Sequence, residues 1–440
     1  MLTLTGGTVV TSISPPRVIG GDVAVDQSRV VAIGSVLPGG PRRDCSGCLI
    51  VPGNVCAHTH LYSSLARGMP YSLAPPANFL QILQRVWWRL DRALDDESIR
   101  ASARVGGIEA LLSGTTTVID HHASPNAIEG SLDVIADALE EVGLRSVLCY
   151  EVTDRDGPQR TRTGLAENGR FLETKRHLAR GMVGAHASFT LSAETLEACV
   201  GLARDNETGI HIHVAEDGVD QRDSVKRFGK RAVYRLQDAG ALIASDVAAH
   251  AVHLDPVEVA TVKRSGVGLV HNPRSNMNNG VGRAPFSLVG GCGSLGTDGI
   301  GGDMFAESQA GYFRIREDDA RTPPHWPLDR LAEGARLAGR LFDEPALGLI
   351  EPGAPADLVV LDYPAPASVD DAGLAGHWIF GLNAGRVRDV MVNGELVVAD
   401  RQLTRLDQDG IAADTRQAAA RLWRRFEGTE AHPFEPEGVG

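Results

Sequence analysis

The sequence predicts an α/β fold: a (β/α)8 TIM-like barrel joined to a small β-sandwich built from both ends of the chain. Three observations carry this. Eight apolar, strand-like runs lie at 51–58, 116–121, 145–152, 182–188, 209–216, 246–253, 267–274 and 293–299. Helical patterns separate most of them, and parallel strands buried on both faces read as such near-continuous apolar runs joined by crossovers. The histidines and acids gather at the C-terminal ends of the runs, where barrels of this kind do their chemistry.

Taken in order, residues 1–50 read as short β segments at 9–11, 22–25, 30–33 and 49–51, punctuated by Gly and Pro. Within the barrel, 98–112 and 131–142 are apolar at i, i+3 and i+4, as helices packed on one face require. After Glu351 the β texture returns at 357–361, 387–392 and 395–398, with the hairpin signal Asn393-Gly394 between the last two. The expected division is therefore a composite sandwich from 1–50 and 351–440 around a catalytic barrel at 51–350. The charged, amphipathic segment 410–426 is expected to pack on the outside as a helix.

Bulk properties exclude several classes. The 440 residues are 43% hydrophobic and 22% charged, as in ordinary globular proteins. A net charge of −13 offers no basic field for nucleic acid or an anionic membrane. The six cysteines are scattered and do not form a disulfide framework; Cys45-Ser46-Gly47-Cys48 reads as two ordinary thiols in a turn. The N-terminus lacks a signal-peptide pattern, and no apolar run approaches the roughly 20 residues of a membrane helix. The expected setting is the cytoplasm.

The chemistry starts at His58-Thr59-His60. Strand side chains alternate, so the two imidazoles share a face about 6–7 Å apart, a spacing that grips one metal ion. The fifth run offers His211 and His213, of which His213 lies nearer the strand end and His211 one layer deeper. Asp298, in Gly296-Thr297-Asp298-Gly299, ends the eighth. His58, His60, His213 and Asp298 make an N3O set for one divalent metal, Zn2+ first and Fe2+ second. No lysine ends the fourth run, so a carbamylated lysine bridging two metals is not suggested. A bound cation acidifies its water, and Glu216 is placed to accept that proton and deliver it to a substrate nitrogen. His250 would orient the nucleophile, Asp298 would hydrogen-bond it, and His253 is expected to face away. Substrate contacts are expected from His186, His122, His271, Asn272, Ser275, Asn276, Tyr62 and Arg67, which present polar groups at the barrel mouth to a planar heterocycle. Trp87 and Trp88 start a helix expected either to wall the pocket or a subunit interface, or simply to pack as aromatics in the helix layer. Neither a phosphate loop of the Gly-x-x-x-x-Gly-Lys type nor a Gly-x-Ser-x-Gly elbow is present.

With these residues in view, the chain resembles the amidohydrolase superfamily, in its mononuclear aminohydrolase branch of cytosine, guanine and S-adenosylhomocysteine deaminases and triazine chlorohydrolases. The matching pieces are Pro52-Gly53 with His58-Thr59-His60, His213-Val214-Ala215-Glu216, Ala249-His250, His271-Asn272-Pro273 with Ser275-Asn276, and Leu295-Gly296-Thr297-Asp298-Gly299. It is most similar to the SsnA-type aminohydrolases, through Trp87-Trp88-Arg89-Leu90-Asp91-Arg92, Asp120-His121-His122-Ala123-Ser124-Pro125, Arg274-Ser275-Asn276-Met277-Asn278-Asn279 and Val390-Met391-Val392-Asn393-Gly394. The resemblance implies metal ligands at His58, His60, His213 and Asp298, catalytic roles for Glu216 and His250, a homodimer or higher homo-oligomer, and a purine-catabolic setting.

The resulting expectation is a metal-dependent hydrolase that deaminates a purine- or pteridine-like heterocycle by metal-bound hydroxide. Opening of a cyclic amide, or chlorohydrolysis of a related ring, is the alternative, because the same nucleophile serves several leaving groups. A barrel that binds without turnover is a third reading; the intact set of ligands, acid and histidine argues against it.

Overall fold

The computed structural model describes residues 1–35 and 40–438. Eight parallel strands form a nearly closed barrel: Asn54–Thr59, Thr115–His122, Arg145–Val152, Val183–Ala187, Ile210–Val214, Val247–His250, Gly268–His271 and Ser294–Leu295. The first and eighth meet at their C-terminal ends, where Thr297 and Asp298 donate their N–H groups to the His58 carbonyl at 2.9 and 3.1 Å and His60 N–H donates to Asp298 O at 3.2 Å. The site residues thus sit on the seam that closes the barrel.

The connecting helices begin and end where side chains satisfy their free backbone groups. Asp95 caps Asp96–Leu112 with a reciprocal bond from Ser98, Asp255 does the same with Glu258 for Pro256–Ser265, and Ser192 caps Ala193–Asp205. The turn Leu83–Trp87 is π-helical, between Phe79–Ile82 and Trp88–Ala93. Such turns recur at functional sites.

A second, nine-stranded sheet is built from both chain ends: Leu2–Ile13, Pro16–Asp26, Arg29–Gly34, Arg42–Asp44 and Leu49–Pro52 from the start, then Leu358–Leu361, Val387–Val392, Glu395–Ala399 and Gln402–Leu403. It is one mostly antiparallel hydrogen-bonded sheet with its own apolar core around Val9, Val23, Ile50, Leu358 and Met391. Cys45 and Cys48 are buried free thiols in that core. Helix Gln408–Glu427 packs against Asp96–Leu112.

The run at 51–58 divides. Val51 and Pro52 pair with Val359 and Leu358 in the terminal sheet, whereas Asn54 starts the barrel. Gly53 is the hinge: its N–H donates to Asp357 O at 2.9 Å, and Asn54 N–H donates to Gly114 O at 3.0 Å. A Cβ at 53 would lie 2.1 Å from Thr116 Oγ1, so only glycine fits. Arg145, at the start of the third barrel strand, spans the same junction with Nε and Nη2 at 2.9 and 3.1 Å from the Asp357 carboxylate. Among the described residues no helix is long and apolar enough to cross a membrane.

Candidate metal centre and active-site cavity

His58 and His60 leave the first strand on the same face, and His213 meets them from the fifth. His60 Nδ1–H donates to the His121 carbonyl at 2.6 Å and His213 Nδ1–H to the His186 carbonyl at 2.8 Å. Both bonds fix the tautomer that leaves a lone pair on Nε2. The two Nε2 atoms lie 3.1 Å apart. His58 Nε2 is buried without a hydrogen-bond partner, 3.7 Å from Asp298 Oδ1, which is itself 3.1 Å from His60 Nε2. Ligand atoms of His58, His60 and His213 cluster closely enough to hold one ion, as do those of His58, His250 and Asp298. Lone pairs aimed at one another in a buried space repel unless a cation sits among them. The donor set therefore fits a divalent metal.

The electrostatics agree. Burial lowers His58 to about 3 and holds His213 well below its ordinary range, so both stay neutral. His60 is also penalised by burial, but the Asp298 carboxylate outweighs this and raises it to about 9 while no cation is bound; a cation at Nε2 would take the place of that proton. Asp298, despite burial, is held well below the carboxylate range by the His58 and His60 rings beside it. The centre draws positive charge. His211 lies deeper, with Nε2 2.8 Å from His58 Nδ1.

Backbone strain concentrates here. Ala215, His250, Ala251 and Asp298 take φ of 49°, 75°, 53° and 53°, all at the C-terminal ends of barrel strands. Non-glycine residues in that region cost about 1–3 kcal/mol each and persist where the surroundings impose them.

Glu216 stands beside the centre with Oε2 3.4 Å from His250 Nε2 and Oε1 3.5 Å from Asn279 Nδ2. Burial, then the Asp298 charge, pushes its carboxyl well above the ordinary range, toward the protonated form. His250 Nδ1–H donates to Asn276 Oδ1 at 2.9 Å, which turns its Nε2 toward Glu216. Ser275 Oγ–H donates to Asp298 Oδ2.

A cavity of about 1000 Å³, counted to its open mouth, rises from these groups. Tyr62, His186 and Ser275 line it with His60, His213, Glu216 and Asp298. Its apolar wall is Phe79, Leu83, Trp87, Trp88, Phe189 and Ile300. The segment after the last helix braces this wall: His432 N–H donates to Gln84 O at 2.9 Å, and Phe434 packs on Trp88 with ring centres 5.8 Å apart.

Several expected substrate contacts lie elsewhere. His122 turns out of the cavity to Ser124 Oγ at 2.9 Å and to Tyr62 and Tyr150; its neighbour His121 faces the centre, with its ring 4.7 Å from that of His213. Arg67 is exposed and pairs with Glu109 at 2.7 Å in an adjoining groove. His271 stacks on Phe286, and Asn272 and Asn276 reach His250, at 3.3 and 2.9 Å, instead of lining the cavity. His253 faces away, 2.8 Å from Val281 O. Glu151, which ends the third strand and lines the cavity, escaped the sequence reading. A lone carboxylate carries no spacing signal.

Comparison with known proteins follows the same lines. Residues 49–397 match the model of the Amidohydrolase family. A 5-methylthioadenosine/S-adenosylhomocysteine deaminase of Pelotomaculum thermopropionicum is 31% identical over 445 aligned positions, covering 96% of this chain and 98% of its own. A 5'-deoxyadenosine deaminase of Methanopyrus kandleri is 30% identical, over 85% and 86%. Among solved structures, an adenosine deaminase from Xanthomonas campestris with bound zinc superposes with a TM-score of 0.84 at 24% identity, over 96% and 98%. Atrazine chlorohydrolase TrzN from Arthrobacter aurescens TC1, complexed with zinc, gives 0.82 at 22%, over 95% and 100%. Sequence match, barrel and histidine-lined seam agree, and the chain belongs to the amidohydrolase family.

Proposed function

We propose that this chain is a metal-dependent hydrolase of non-peptide C–N bonds that deaminates a purine- or pteridine-like heterocycle. The observation that carries the reading is the convergence of three histidine nitrogens and the Asp298 carboxylate beside Glu216. We assign His58, His60, His213 and Asp298 as the ligands of a divalent cation, Zn2+ by their donor chemistry. That cation supplies the Lewis acidity that lowers the pKa of a water from about 15.7 toward 7.

The side chains do the rest. Glu216 passes a proton between that water and the ring nitrogen next to the carbon bearing the amino group, then helps ammonia leave. His250, oriented by Asn276, keeps a lone pair toward the same point. Asp298, steadied by Ser275, accepts a hydrogen bond from the attacking water. The aromatic wall excludes bulk water and stacks on a planar ring.

The two-unit organisation, with 51–350 as the catalytic unit, belongs to this proposal, as does a place in purine catabolism. So does a cytoplasmic setting, which suits five buried cysteines and one exposed, all free. A homo-oligomer is proposed because Phe380 and Phe313, 73% and 50% exposed, adjoin on the surface. The test is ammonia release from the zinc-loaded protein on a panel of aminopurines and aminopteridines, with the ultraviolet spectrum followed in parallel. Ammonia with a shifted, surviving ring absorbance is the expected result. Loss of ring absorbance without ammonia would replace deamination with ring opening.

A further inference from the structure

The charge of the cavity bears on what it accepts. Among the described residues, Glu151, Glu216, Asp217, Asp220 and Asp298 line it, and no Lys or Arg does. These carboxylates are not equivalent. Asp220 accepts backbone N–H groups from Phe189 and Ala215 at 3.0 and 2.7 Å, which ties it to the loops after the fourth and fifth strands. Glu216 and Asp298 belong to the reacting centre. Glu151 is different: it is 4% exposed and lies on the cavity wall, 3.2 Å from His121 Nδ1 and 4.0 Å from His186 Nε2.

Glu151 Oε1 accepts from Arg155 Nη1 at 2.6 Å, and Oε2 lies 3.2 Å from His121 Nδ1. An ionised carboxylate offers about four lone-pair sites, so acceptor capacity remains. Burial would raise its carboxyl, but His186, Arg155 and His121 together hold it well below the usual range. Arg155 does not line the cavity, and its charge is already held by Glu151, by Asp91 at 2.8 Å and by Asp156 at 3.3 Å. A substrate carboxylate arriving beside Glu151 would be buried against a like charge with no lysine or arginine of the cavity lining to meet it.

We propose that Glu151 is a specificity-determining residue. It accepts an N–H from the bound ring, so the cavity admits neutral or cationic aminoheterocycles and rejects those bearing a carboxylate or phosphate. This rests on the deaminase reading and names its substrate class.

The test uses matched pairs on the zinc-loaded protein: pterin against pterin-6-carboxylate, and 5'-methylthioadenosine against S-adenosylhomocysteine. Both ammonia release and calorimetric Kd are measured. The expected result is at least a 100-fold preference for the carboxylate-free member of a pair. In Glu151→Gln that preference falls at least tenfold with metal content unchanged. A residue that merely held Arg155 or His121 in place would shift both members together, and that result would overturn the assignment. Should the variant fail to fold, the wild-type pairs decide alone. Preferential binding of the carboxylate-free member without ammonia would leave this inference standing and remove the deaminase reading. Ammonia from both members at equal rates would do the reverse, and neither binding nor ammonia would overturn both.

Discussion

Replacing Glu216 by Gln removes one proton-carrying oxygen and little else. The amide keeps the shape, and its oxygen can still face Asn279 Nδ2, now 3.5 Å away. Glu216 lies outside the N3O set, so metal content should match the wild type. Stability should change by no more than about 1 kcal/mol, since the group lost is a partly buried carboxyl already biased toward neutrality. The effect on rate is large because no neighbour can substitute. Asp220 is tied to two backbone N–H groups, and Asp298 is held ionised. General acid–base catalysis contributes about 10²–10⁴-fold. With no stand-in acid, the upper half of that range applies, a loss of about 10³–10⁴ in kcat, or roughly 4–5.5 kcal/mol at about 1.4 kcal/mol per decade. The assay is coupled ammonia detection under saturating substrate, with metal analysis and a thermal melt on the same sample. A metal-replete, folded variant that keeps more than a tenth of wild-type kcat would refute the role.

Further expectations follow from the same geometry. Asp298→Asn removes the anionic oxygen of the donor set while leaving Ser275 a partner; zinc affinity measured against a competing chelator should weaken by about 10–100-fold, and unchanged affinity would exclude Asp298 as a ligand. Stripping the metal with a chelator should abolish ammonia release and lower the melting temperature, with zinc restoring both. Arg145→Met strands the buried Asp357 carboxylate and should cost about 3–5 kcal/mol in urea unfolding; a loss under 1 kcal/mol would show the pair to be dispensable. Burial lowers His122 to about 3, so the unfolded chain binds its proton first and stability is lost as pH falls below the unfolded value near 6.5. From pH 7 to 5 this one group should contribute about 2 kcal/mol of destabilisation, and His122→Gln should flatten the dependence by that amount.

The barrel was legible because its strands are apolar on both faces, a pattern that survives without knowledge of partners. The metal set was legible because His58-Thr59-His60 encodes its geometry in a two-residue period. Other features depend on tertiary packing. His121 and His122 are both fully buried, so burial could not say which faces the centre; that follows from where the second strand sits against the fifth. Asn272 and Asn276 are indistinguishable in sequence from substrate contacts until the ring of His250 is seen between them. The run at 51–58 looks continuous because both sheets demand the same apolar residues, and only Gly53 marks the division. Glu151 became visible through the cavity it lines.

That division at Gly53 also has an evolutionary consequence. The strand that carries His58 and His60 is anchored on both sides of that glycine: Pro52 pairs with Leu358 in the terminal sheet and Asn54 with Thr115 in the barrel. A single residue inserted or deleted between Asn54 and His58 would swing the imidazoles to the opposite side of their strand. Changes in chain length are therefore tolerated only outside that short stretch, which tethers the metal ligands to the sheet contributed by both ends.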